Sequence, residues 1–558
     1  MDYSKSGIRH LASLCKQKGI ETIVISPGSR NAPIIIAFRE VGLQCLSIVD
    51  ERSAAFFALG IAQKTAKTVA IACTSGSAVL NYAPAISEAY YQRIPLLVLT
   101  ADRPNEWIDQ EDSQTIKQKE VYKNYVKKSY EIPQNISSED DLWFTDRLIN
   151  EAIDCCQMGA QGPVHINLPF KEPLYDGFDE SISKPKLIHS TIEANKVSEV
   201  LIKSLAEQWN LSKKKLIVCG MIKPCKQLND FLSVIAQDPS VAILTETTAN
   251  ISDEAFLPSI DRVLSSIPSD KLSDYTPDLL ITVGNQVISK RIKAFLRSNR
   301  PQDHWHVSAD DLYLDTFQSL SHNITIQPSQ FFSQLIERIE IPKSDYAMLW
   351  KNSDKLTLEK HIEFMQECDF SDLTVMHDVL QQIPNGSDLQ MGNSTSVRYI
   401  QLFPNRNDLT YYGNRGTSGI DGSISTAVGA SFASQKPSTL IIGDISFFYD
   451  SNGLWNNYLS NNLKIIIINN GGGGIFRFID GPSSSNALDY FETPHNLNAE
   501  HIAKTFNVNY LKATNDIELS KNLTKLYTEN QGCCILEVFT PREKNAEILK
   551  SYFQFLSK

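Results

Sequence analysis

The stretches IIGDISFFYD (441–450) and IIIINNGGGG (465–474) each place polar residues or glycines at the end of a short apolar run. Apolar runs of this length, followed by turn-forming residues, are typical of buried strands in parallel sheets. Ligands of such sheets bind beyond the carboxyl ends of the strands, so we expect Asp444 and Asn470 at one rim. The segment SNGLWNNYLSNN (451–462) is predicted to supply the helix of a right-handed crossover between the two strands.

The same alternation of short β-rich runs and helix-like segments extends along the whole chain. It predicts an α/β protein with three domains, each built on a mostly parallel sheet covered by helices on both faces. Two polar, proline-bearing segments at 171–195 and 339–348 are interpreted as interdomain connections. The predicted domains are 1–180, 195–340 and 350–558.

The 558 residues carry a formal net charge of −11, and 42% of them are apolar. This composition indicates a folded multidomain protein and argues against nucleic acid or an acidic membrane surface as the main partner. No apolar run approaches the roughly 18 residues that span a bilayer, and the N-terminal stretch lacks a signal-peptide core. Ten cysteines without a CxxC pair predict free thiols in a reducing compartment, so we expect a cytoplasmic protein.

The residues at the predicted rim have the chemistry of a metal and phosphate site. Asp444, Asn470 and a nearby backbone carbonyl are hard oxygen ligands that suit Mg²⁺ or Ca²⁺. The four glycines at 471–474 allow the backbone to approach a phosphate closely. Each residue alone also fits a capped helix start or an ordinary loop. The order of strand, acid, crossover, strand, asparagines and glycines favours a metal-diphosphate site.

A second candidate residue, Glu51, lies between a strand end and an apolar helix in LSIVDERSAAFFALGIA (46–62). The alternative interpretation is an acid in a first helical turn, which the helix dipole favours. Other sites lack support, because neither GxGxxG nor GxxxxGK[ST] occurs. GxSxG and HExxH are absent and the ten histidines form no metal-ligand cluster, which argues against hydrolytic chemistry.

Five cationic residues follow predicted strands, in SPGSRNAP, TADRP, GNQVISKR, GNSTSVR and YGNRGTSGIDG. In an acidic protein this placement indicates a pocket for carboxylates, because the guanidinium fork binds a carboxylate through two hydrogen bonds. Taken singly, each residue is better explained as part of a structural salt bridge. The five are Arg30, Arg103, Lys290, Arg398 and Arg415.

The segment GDI, followed after 23 residues by NN, resembles the signature of thiamine-diphosphate enzymes, in which GDG precedes NN by about 25 residues. Two departures are Ile445 in place of the last glycine and the slightly shorter spacing. Over nearly the full chain, SPGSR, DER, TSG, LTADRP, GNS with VR, NRGTSGIDG and GGGIF occur in the order typical of one family. The sequence resembles the 2-succinyl-5-enolpyruvyl-6-hydroxy-3-cyclohexene-1-carboxylate synthase family.

This resemblance implies a thiamine-diphosphate-dependent transferase of menaquinone biosynthesis. Such an enzyme decarboxylates 2-oxoglutarate and adds the succinyl carbanion to isochorismate, with Mg²⁺, or alternatively Mn²⁺, holding the cofactor's phosphates. The resemblance assigns the pyrimidine of the cofactor to residues 1–180 and the diphosphate to 350–558, with sites at the subunit interface of a homodimer or homotetramer. Two alternatives remain: another thiamine-diphosphate 2-oxoacid decarboxylase or acetolactate-type synthase, and a non-catalytic α/β binding module.

The resemblance also implies roles for individual residues. The implied catalytic residues are Glu51, Gln114, Ser394, Arg398 and Arg415. The implied cofactor contacts are Glu51, Ile420, Gly443, Asp444, Ser446, Asn470, Gly472 and Ile475, among which Asp444, Asn470 and the Gly472 carbonyl are the metal ligands. The implied substrate contacts are Ser29, Arg30, Asn31, Arg103, Gln114, Lys290, Ser394, Arg398, Arg415 and Phe476. On sequence grounds, Ile420, Ile475 and Phe476 could equally be core residues.

Overall fold

The computed structural model describes residues 6–175, 184–191, 196–479, 481–529 and 532–558. Its three sheets have six, five and six strands, and all their strand pairs are parallel. The predicted α/β class with three parallel sheets is therefore confirmed. The predicted connection at 171–195 and the boundary at 180 lie partly or wholly outside the described residues.

The first sheet has the strand order β2-β1-β3-β4-β6-β5. Strands β3 and β4 are buried along their whole length, because helices cover both faces of the sheet. The strands are β1 Thr22–Ile25, β2 Gln44–Ser47, β3 Val69–Cys73, β4 Leu96–Asp102, β5 Ser129–Glu131 and β6 Val164–Pro169. The helices are α1 Ser6–Gln17, α2 Ala32–Glu40, α3 Glu51–Thr65, α4 Ser77–Asn81, α5 Ala83–Gln92 and α6 Glu139–Gln157, with a 3₁₀ turn at Asn105–Trp107.

The second sheet has the order β11-β10-β9-β7-β8. Its strands are β7 Lys215–Cys219, β8 Val241–Thr245, β9 Leu279–Val283, β10 Asp303–Ser308 and β11 His322–Thr325. Its helices are α7 Glu199–Leu211, α8 Lys226–Ile235, α9 Ile260–Ser266, α10 Leu272–Tyr275, α11 Lys290–Ser298 and α12 Pro328–Ile336, with 3₁₀ turns at Thr247–Ala249 and Ser269–Lys271. Helix α13, Tyr346–Gln366, then leads to the third sheet and buries Trp350 against the middle domain.

The third sheet has the order β13-β12-β14-β15-β17-β16. Its strands are β12 Asp388–Met391, β13 Thr410–Gly413, β14 Ser438–Gly443, β15 Leu463–Asn469, β16 Asn509–Ala513 and β17 Cys534–Phe539. Its helices are α14 Asp372–Gln382, α15 Thr395–Ile400, α16 Ser423–Phe432, α17 Asp444–Tyr449, α18 Leu488–Glu492, α19 Glu500–Thr505, α20 Asp516–Thr528 and α21 Arg542–Ser557, with 3₁₀ turns at Ser451–Leu454 and Gly474–Arg477.

The prediction of a helix over 451–462 is wrong. The crossover between β14 and β15 is instead helical at Asp444–Tyr449, followed by a single 3₁₀ turn. The chain is held there by tertiary bonds, because the Asp450 carboxylate accepts hydrogen bonds from the backbone N–H and the hydroxyl of Ser425. Gly453 also packs closely on Ser425, where a Cβ would lie 2.7 Å from the Ser425 hydroxyl.

The first and third domains share a core through helices α3 and α16. The two helices cross at glycines, which allow the backbones to touch. A Cβ on Gly60 would lie 2.0 Å from the Thr426 carbonyl oxygen, and one on Gly429 would lie 2.0 Å from that of Phe57. The orientation of α3, which begins at Glu51, is therefore set partly by the third domain.

The ten cysteines all lie among the described residues, and all are free thiols. Five of them are buried: Cys15, Cys73, Cys156, Cys219 and Cys534. The prediction of unpaired cysteines is thus confirmed. In the part of the chain that the structure describes, no helix combines the length and the apolar character needed to cross a membrane.

Candidate active site

Asp444 and Asn470 lie at the same rim of the third sheet. Strands β14 and β15 are neighbours with Gly443 paired to Ile468, so both side chains follow directly from adjacent strand ends. The Asp444 carboxylate is buried, and its Oδ2 accepts hydrogen bonds from the backbone N–H groups of Gly471 at 2.8 Å and Gly472 at 3.0 Å. The glycine loop therefore holds this carboxylate in one orientation.

The two polar atoms of the buried Asn470 side chain have different environments. Its Nδ2 donates to Asp372 Oδ2 at 3.0 Å, whereas Oδ1 has no hydrogen-bond partner among the described residues. An unsatisfied buried carbonyl costs about 1–3 kcal/mol. A divalent cation beside Asp444 would satisfy this oxygen, so the residues present fit a hard metal ion.

Asp372 carries no sequence signal of a functional role, because it looks like an ordinary helix-start acid in SDLT (371–374). It is buried, and its Oδ1 accepts from the Thr540 hydroxyl at 2.6 Å and from Asn545 Nδ2 at 2.9 Å. Burial raises the pKa of Asp372 to about 6, although these hydrogen bonds oppose the shift. Its link to Asn470 spans 98 residues, so no local pattern reveals it.

The loop after β15 leaves room for a ligand. Gly472 has a φ of +157° and a Cβ there would lie 2.8 Å from the Glu492 carbonyl oxygen, whereas a Cβ on Gly443 would have no atom within 4 Å. The space beyond β14 is therefore open. A cleft of about 680 Å³ beside the loop is lined by Asn470, Gly471, His495, Thr540 and Arg542, among others.

His495 is a second residue at this rim that no sequence motif predicts. Its Nδ1 accepts a hydrogen bond from the Leu497 backbone N–H, so Nε2 carries the ring hydrogen and lies 3.4 Å from Asp444 Oδ2. Among the described residues, no group of three or more His, Cys, Asp or Glu side chains could hold a metal ion. An ion at this rim would depend on the amide of Asn470 and on backbone oxygens as well as on Asp444.

Glu51 is the first residue of α3, and Asp50 caps the helix by accepting a hydrogen bond from the Ser53 backbone N–H at 3.0 Å. The Glu51 side chain is half-buried and lies near the end of β3. Burial raises the pKa of the Cys73 thiol, and the nearby Glu51 carboxylate adds to that shift. No described residue donates a hydrogen bond to this carboxylate, so it is available to a ligand.

Arg30 and Arg103 follow β1 and β4 and already have carboxylate neighbours. Arg30 lies 3.3 Å from Glu172 and donates to the Phe170 carbonyl, and Arg103 lies 3.4 Å from Asp112. Burial lowers the pKa of Arg30, and the charge of Arg103 adds to the shift, which places the two guanidinium groups close together. The salt-bridge interpretation thus applies in part to both.

The remaining predicted residues of the first domain differ in exposure and in whether their polar atoms are already hydrogen-bonded within the protein. Both polar atoms of Asn31 are used within its own loop, because Nδ2 donates to the Ser26 carbonyl and Oδ1 accepts from the Gly28 N–H. Ser29 is exposed. Gln114 is also exposed, and its backbone packs against Gly76 in the TSG segment.

Arg398 and Arg415 form no ion pair with any carboxylate in the described ranges. Arg415 is buried, donates to Asn393 Oδ1 at 2.7 Å, and has an unpartnered Nε. Arg398 donates only to the Ser394 carbonyl. Burial lowers the pKa of both guanidinium groups, and Arg398 adds to the shift at Arg415. Arg415 is buried and Arg398 is half-buried, and the carboxylate of Asp261 near Arg398 forms no direct ion pair with it. Two neighbouring cations without a direct carboxylate contact in the described structure favour the binding of an anion.

A cavity of about 410 Å³ brings several predicted residues together. Arg398 and Ile475 come from the third domain, and the exposed Lys290 comes from the start of α11 in the middle domain.

Ile420 is 38% exposed rather than part of the core. Gln114 and Ser394 have φ values of +57° and +70°, conformations that non-glycine residues rarely adopt and that often mark functional sites.

Glu88 on α5 fixes the loop that carries Arg415, and it too was missed. Its buried carboxylate accepts hydrogen bonds from the backbone N–H groups of Gly416 and Thr417, both at 2.6 Å, and from the Thr417 hydroxyl. Gln286 of the middle domain donates to the Gly416 carbonyl at 2.5 Å. All three domains therefore meet at Gly416.

The three parallel sheets and the acid, amide and glycine rim define a thiamine-diphosphate enzyme. Three family models support this class: "Thiamine pyrophosphate enzyme, N-terminal TPP binding domain" matches residues 5–121, "Middle domain of thiamine pyrophosphate" matches 184–391, and "Thiamine pyrophosphate enzyme, C-terminal TPP binding domain" matches 390–538. Thiamine pyrophosphate is another name for thiamine diphosphate. Within this class, the chain belongs to the 2-succinyl-5-enolpyruvyl-6-hydroxy-3-cyclohexene-1-carboxylate synthase family.

The similarity to members of this family extends over the full chain. The synthase of Flavobacterium johnsoniae is 44% identical over 563 residues, and that of Christiangramia forsetii is 44% identical over 577 residues; both alignments cover 100% of each chain. The Porphyromonas gingivalis synthase is 38% identical over 571 residues, which cover 100% of this chain and 98% of the relative. The family resemblance drawn from the motifs is confirmed.

Proposed function

We propose that the protein makes 2-succinyl-5-enolpyruvyl-6-hydroxy-3-cyclohexene-1-carboxylate from 2-oxoglutarate and isochorismate in menaquinone biosynthesis. Thiamine diphosphate, when bound, supplies the electron sink for decarboxylating a 2-oxoacid and transferring the remaining carbanion. The observation that carries the substrate assignment is the neighbouring pair Arg398 and Arg415, which lack carboxylate partners in the described structure. Both substrates carry two carboxylates, which such cations bind.

At the diphosphate end, Asp444, the Oδ1 atom of Asn470 and the Gly472 carbonyl would hold Mg²⁺, with Mn²⁺ as an alternative. The ion would neutralise phosphate charge at the rim of the third sheet, within the proposed diphosphate domain 350–558. The unpartnered oxygen of Asn470 supports this assignment. Gly443 and Ser446 would lie beside the phosphates, because a Cβ at Gly443 would project into open space.

At the pyrimidine end, Glu51 of the proposed domain 1–180 would donate or accept the proton at a ring nitrogen. A positioned carboxylate can carry out such a proton transfer, and no described group competes for its hydrogen bond. Ile420 would support the cofactor from below with its exposed side chain. Ile475 and Phe476 would form an apolar wall that excludes water from the reacting atoms.

Different cationic residues would bind the two substrates. Ser394 and Arg398 would bind the 2-oxoglutarate carboxylates, while Arg415 and Lys290 would bind isochorismate. The first domain would contribute Ser29, Arg30, Arg103 and Gln114 to isochorismate, while Asn31 would hold the loop of Ser29 and Arg30 through its own hydrogen bonds. An enzyme for small or apolar 2-oxoacids would not need this many cations, which disfavours a decarboxylase or an acetolactate-type synthase.

We propose that the two rims meet across the interface of a homodimer. The alternative assembly is a homotetramer made of two such dimers. Exposed apolar residues occur in the segments that follow the rim strands: Val49 after β2 and Leu80 after β3 in the first domain, and Tyr449 and Trp455 after β14 in the third. Large exposed apolar residues grouped in this way are typical of an interaction surface. A second copy of the chain would cover them, since oligomers of one chain are usually symmetric.

Mixing two inactive variants tests this assembly. If each site combines Glu51 of one chain with Asp444 of the other, a one-to-one mixture of Glu51→Gln and Asp444→Ala chains, refolded together, recovers about one quarter of wild-type activity. Half of the dimers are then mixed, and each mixed dimer has one intact site of two. A mixture that stays as inactive as its components would place the whole site within one chain.

The central experiment measures product formation and CO₂ release from 2-oxoglutarate and isochorismate, with and without thiamine diphosphate and Mg²⁺. We expect turnover only when all four are present, and loss of turnover after chelation of the metal. Preference for pyruvate would support the alternative 2-oxoacid enzyme. If cofactor and Mg²⁺ left the melting temperature unchanged, a non-catalytic binding module would be favoured instead.

We also place the protein in the cytoplasm. The support is chemical: the ten unpaired cysteines, all within the described residues, are compatible with a reducing compartment. Fractionation of cells that express the protein tests this assignment.

A further inference from the structure

Asp372 contacts Asn470 but neither the glycine loop nor the cleft, and the family motifs assign it no role. We propose that Asp372 is a positioning residue that orients the amide of Asn470, so that Oδ1 rather than Nδ2 faces the divalent ion. This inference rests on the metal site of the proposed function. It concerns what makes that site selective for a cation.

The chemistry of the contact determines which way the amide faces. An ionised carboxylate only accepts hydrogen bonds, so only the NH₂ side of Asn470 can face Asp372 Oδ2, at 3.0 Å. The amide oxygen must then turn away, and it is this atom that has no partner in the described structure. Without the carboxylate, the two sides of the amide would be nearly equivalent in shape, and a turned amide would present hydrogens to the cation.

Asp372 is itself held by two other segments of the third domain. Its Oδ1 accepts from Thr540, which follows β17, and from Asn545 on α21, while its own backbone N–H donates to Asn545 Oδ1 at 2.8 Å. Asp372 is 1% exposed. The Thr540 hydroxyl and the Asn545 amide both donate to Oδ1. Oδ2 therefore accepts from Asn470 alone among the described side chains.

Exchanging the two side chains tests the proposal. In Asp372→Asn, the new amide oxygen should remain with the donors Thr540 and Asn545, so its NH₂ faces Asn470 and forces that amide to turn. In Asn470→Asp, two buried carboxylates face each other. In the double variant, the amide at 372 donates to the carboxylate at 470, whose second oxygen again faces the ion.

The readout is the Mg²⁺ affinity at a fixed, saturating thiamine diphosphate concentration, followed by intrinsic tryptophan fluorescence and by the rise in melting temperature. We expect Asp372→Asn to weaken Mg²⁺ binding about 10- to 100-fold, as is usual for residues that orient metal ligands. The double variant should recover most of this loss. Recovery by exchange is not expected of a residue that merely stabilises the fold.

Thr540→Val is the matched control, because it removes a hydrogen bond to the same carboxylate without touching Asn470. It should change Mg²⁺ affinity far less than Asp372→Asn, and melting temperatures without ligand identify any variant that fails to fold. Wild-type Mg²⁺ affinity in Asp372→Asn, or a double variant no better than that single variant, would overturn the inference. If wild-type protein itself shows no Mg²⁺-dependent cofactor binding, the proposed function fails instead.

Discussion

The two ends of the candidate site differ in how far one chain completes them. At the rim of the third sheet, Asp444 accepts two backbone hydrogen bonds and Asn470 is held by Asp372, so the donor atoms are oriented before a ligand binds. At the rim of the first sheet, Glu51 is half-buried and has no donor among the described residues. The diphosphate end is therefore preorganised by local contacts, while the pyrimidine end acquires its partner only through the cofactor.

The largest effect should come from the pyrimidine end. Glu51→Gln keeps the side-chain volume but cannot relay a proton, so turnover should fall about 10²- to 10⁴-fold while cofactor binding persists. Steady-state rates and hydrogen–deuterium exchange at the cofactor's C2 atom measure this. The exposed Glu21→Gln serves as a control and should behave like wild type. Fast C2 exchange in Glu51→Gln would remove the distinction between the two ends.

Arg398→Ala should have the next largest effect. A charged hydrogen bond contributes about 1.5–3 kcal/mol, so kcat/KM for 2-oxoglutarate should fall roughly 10- to 100-fold. The fold should persist, because the only hydrogen bond that Arg398 donates in the described structure is to the Ser394 carbonyl. Arg147→Ala, on the exposed face of α6, is the matched control. Unchanged rates with both substrates would show that this guanidinium does not contact substrate.

Two glycine variants sharpen the claim that the diphosphate end is preformed. Gly443→Ala should leave the melting temperature of the free protein unchanged but weaken cofactor binding by about 1–3 kcal/mol, because its methyl group enters open space that the phosphates need. Gly472→Ala should lower both the melting temperature of the free protein and its affinity for the cofactor, since the φ of +157° and the nearby Glu492 carbonyl exclude a side chain. Titration of the cofactor and thermal unfolding distinguish the two variants. Normal cofactor affinity in Gly443→Ala would argue against phosphates at the end of β14.

The smallest effect concerns Asp450, whose carboxylate lies near Arg52. Burial raises its pKa from 3.8 to about 7, so the folded state binds a proton that the unfolded state has released between these pH values. Stability should therefore fall as pH rises from about 4 to about 7. Asp450→Asn should make this fall in melting temperature shallower, whereas the exposed Asp140→Asn should not. An identical slope in Asp450→Asn and wild type would contradict the assignment.

The parts of the site that follow strands could be predicted because their signals are local. A buried apolar run that ends in Asp444 or Asn470 reports both a strand and the chemistry at its end. The crossover helix was misplaced because hydrogen bonds from Ser425 to Asp450, rather than local propensity, decide where the chain turns. Asp372 and Glu88 were missed because their partners lie 98 and 328 residues away.

The sequence by itself determined the α/β class, the three sheets, the family and the residues that end each strand, since periodicity, turn chemistry and motifs are properties of short segments. Only the tertiary structure decided which of those residues are free to bind a ligand. It used both polar atoms of Asn31 within a loop, left Arg398 and Arg415 without a direct ion pair among the described residues, and oriented Asn470 through Asp372. Whether a buried polar atom is satisfied depends on which distant atoms the fold brings to it, and no local pattern records those distances.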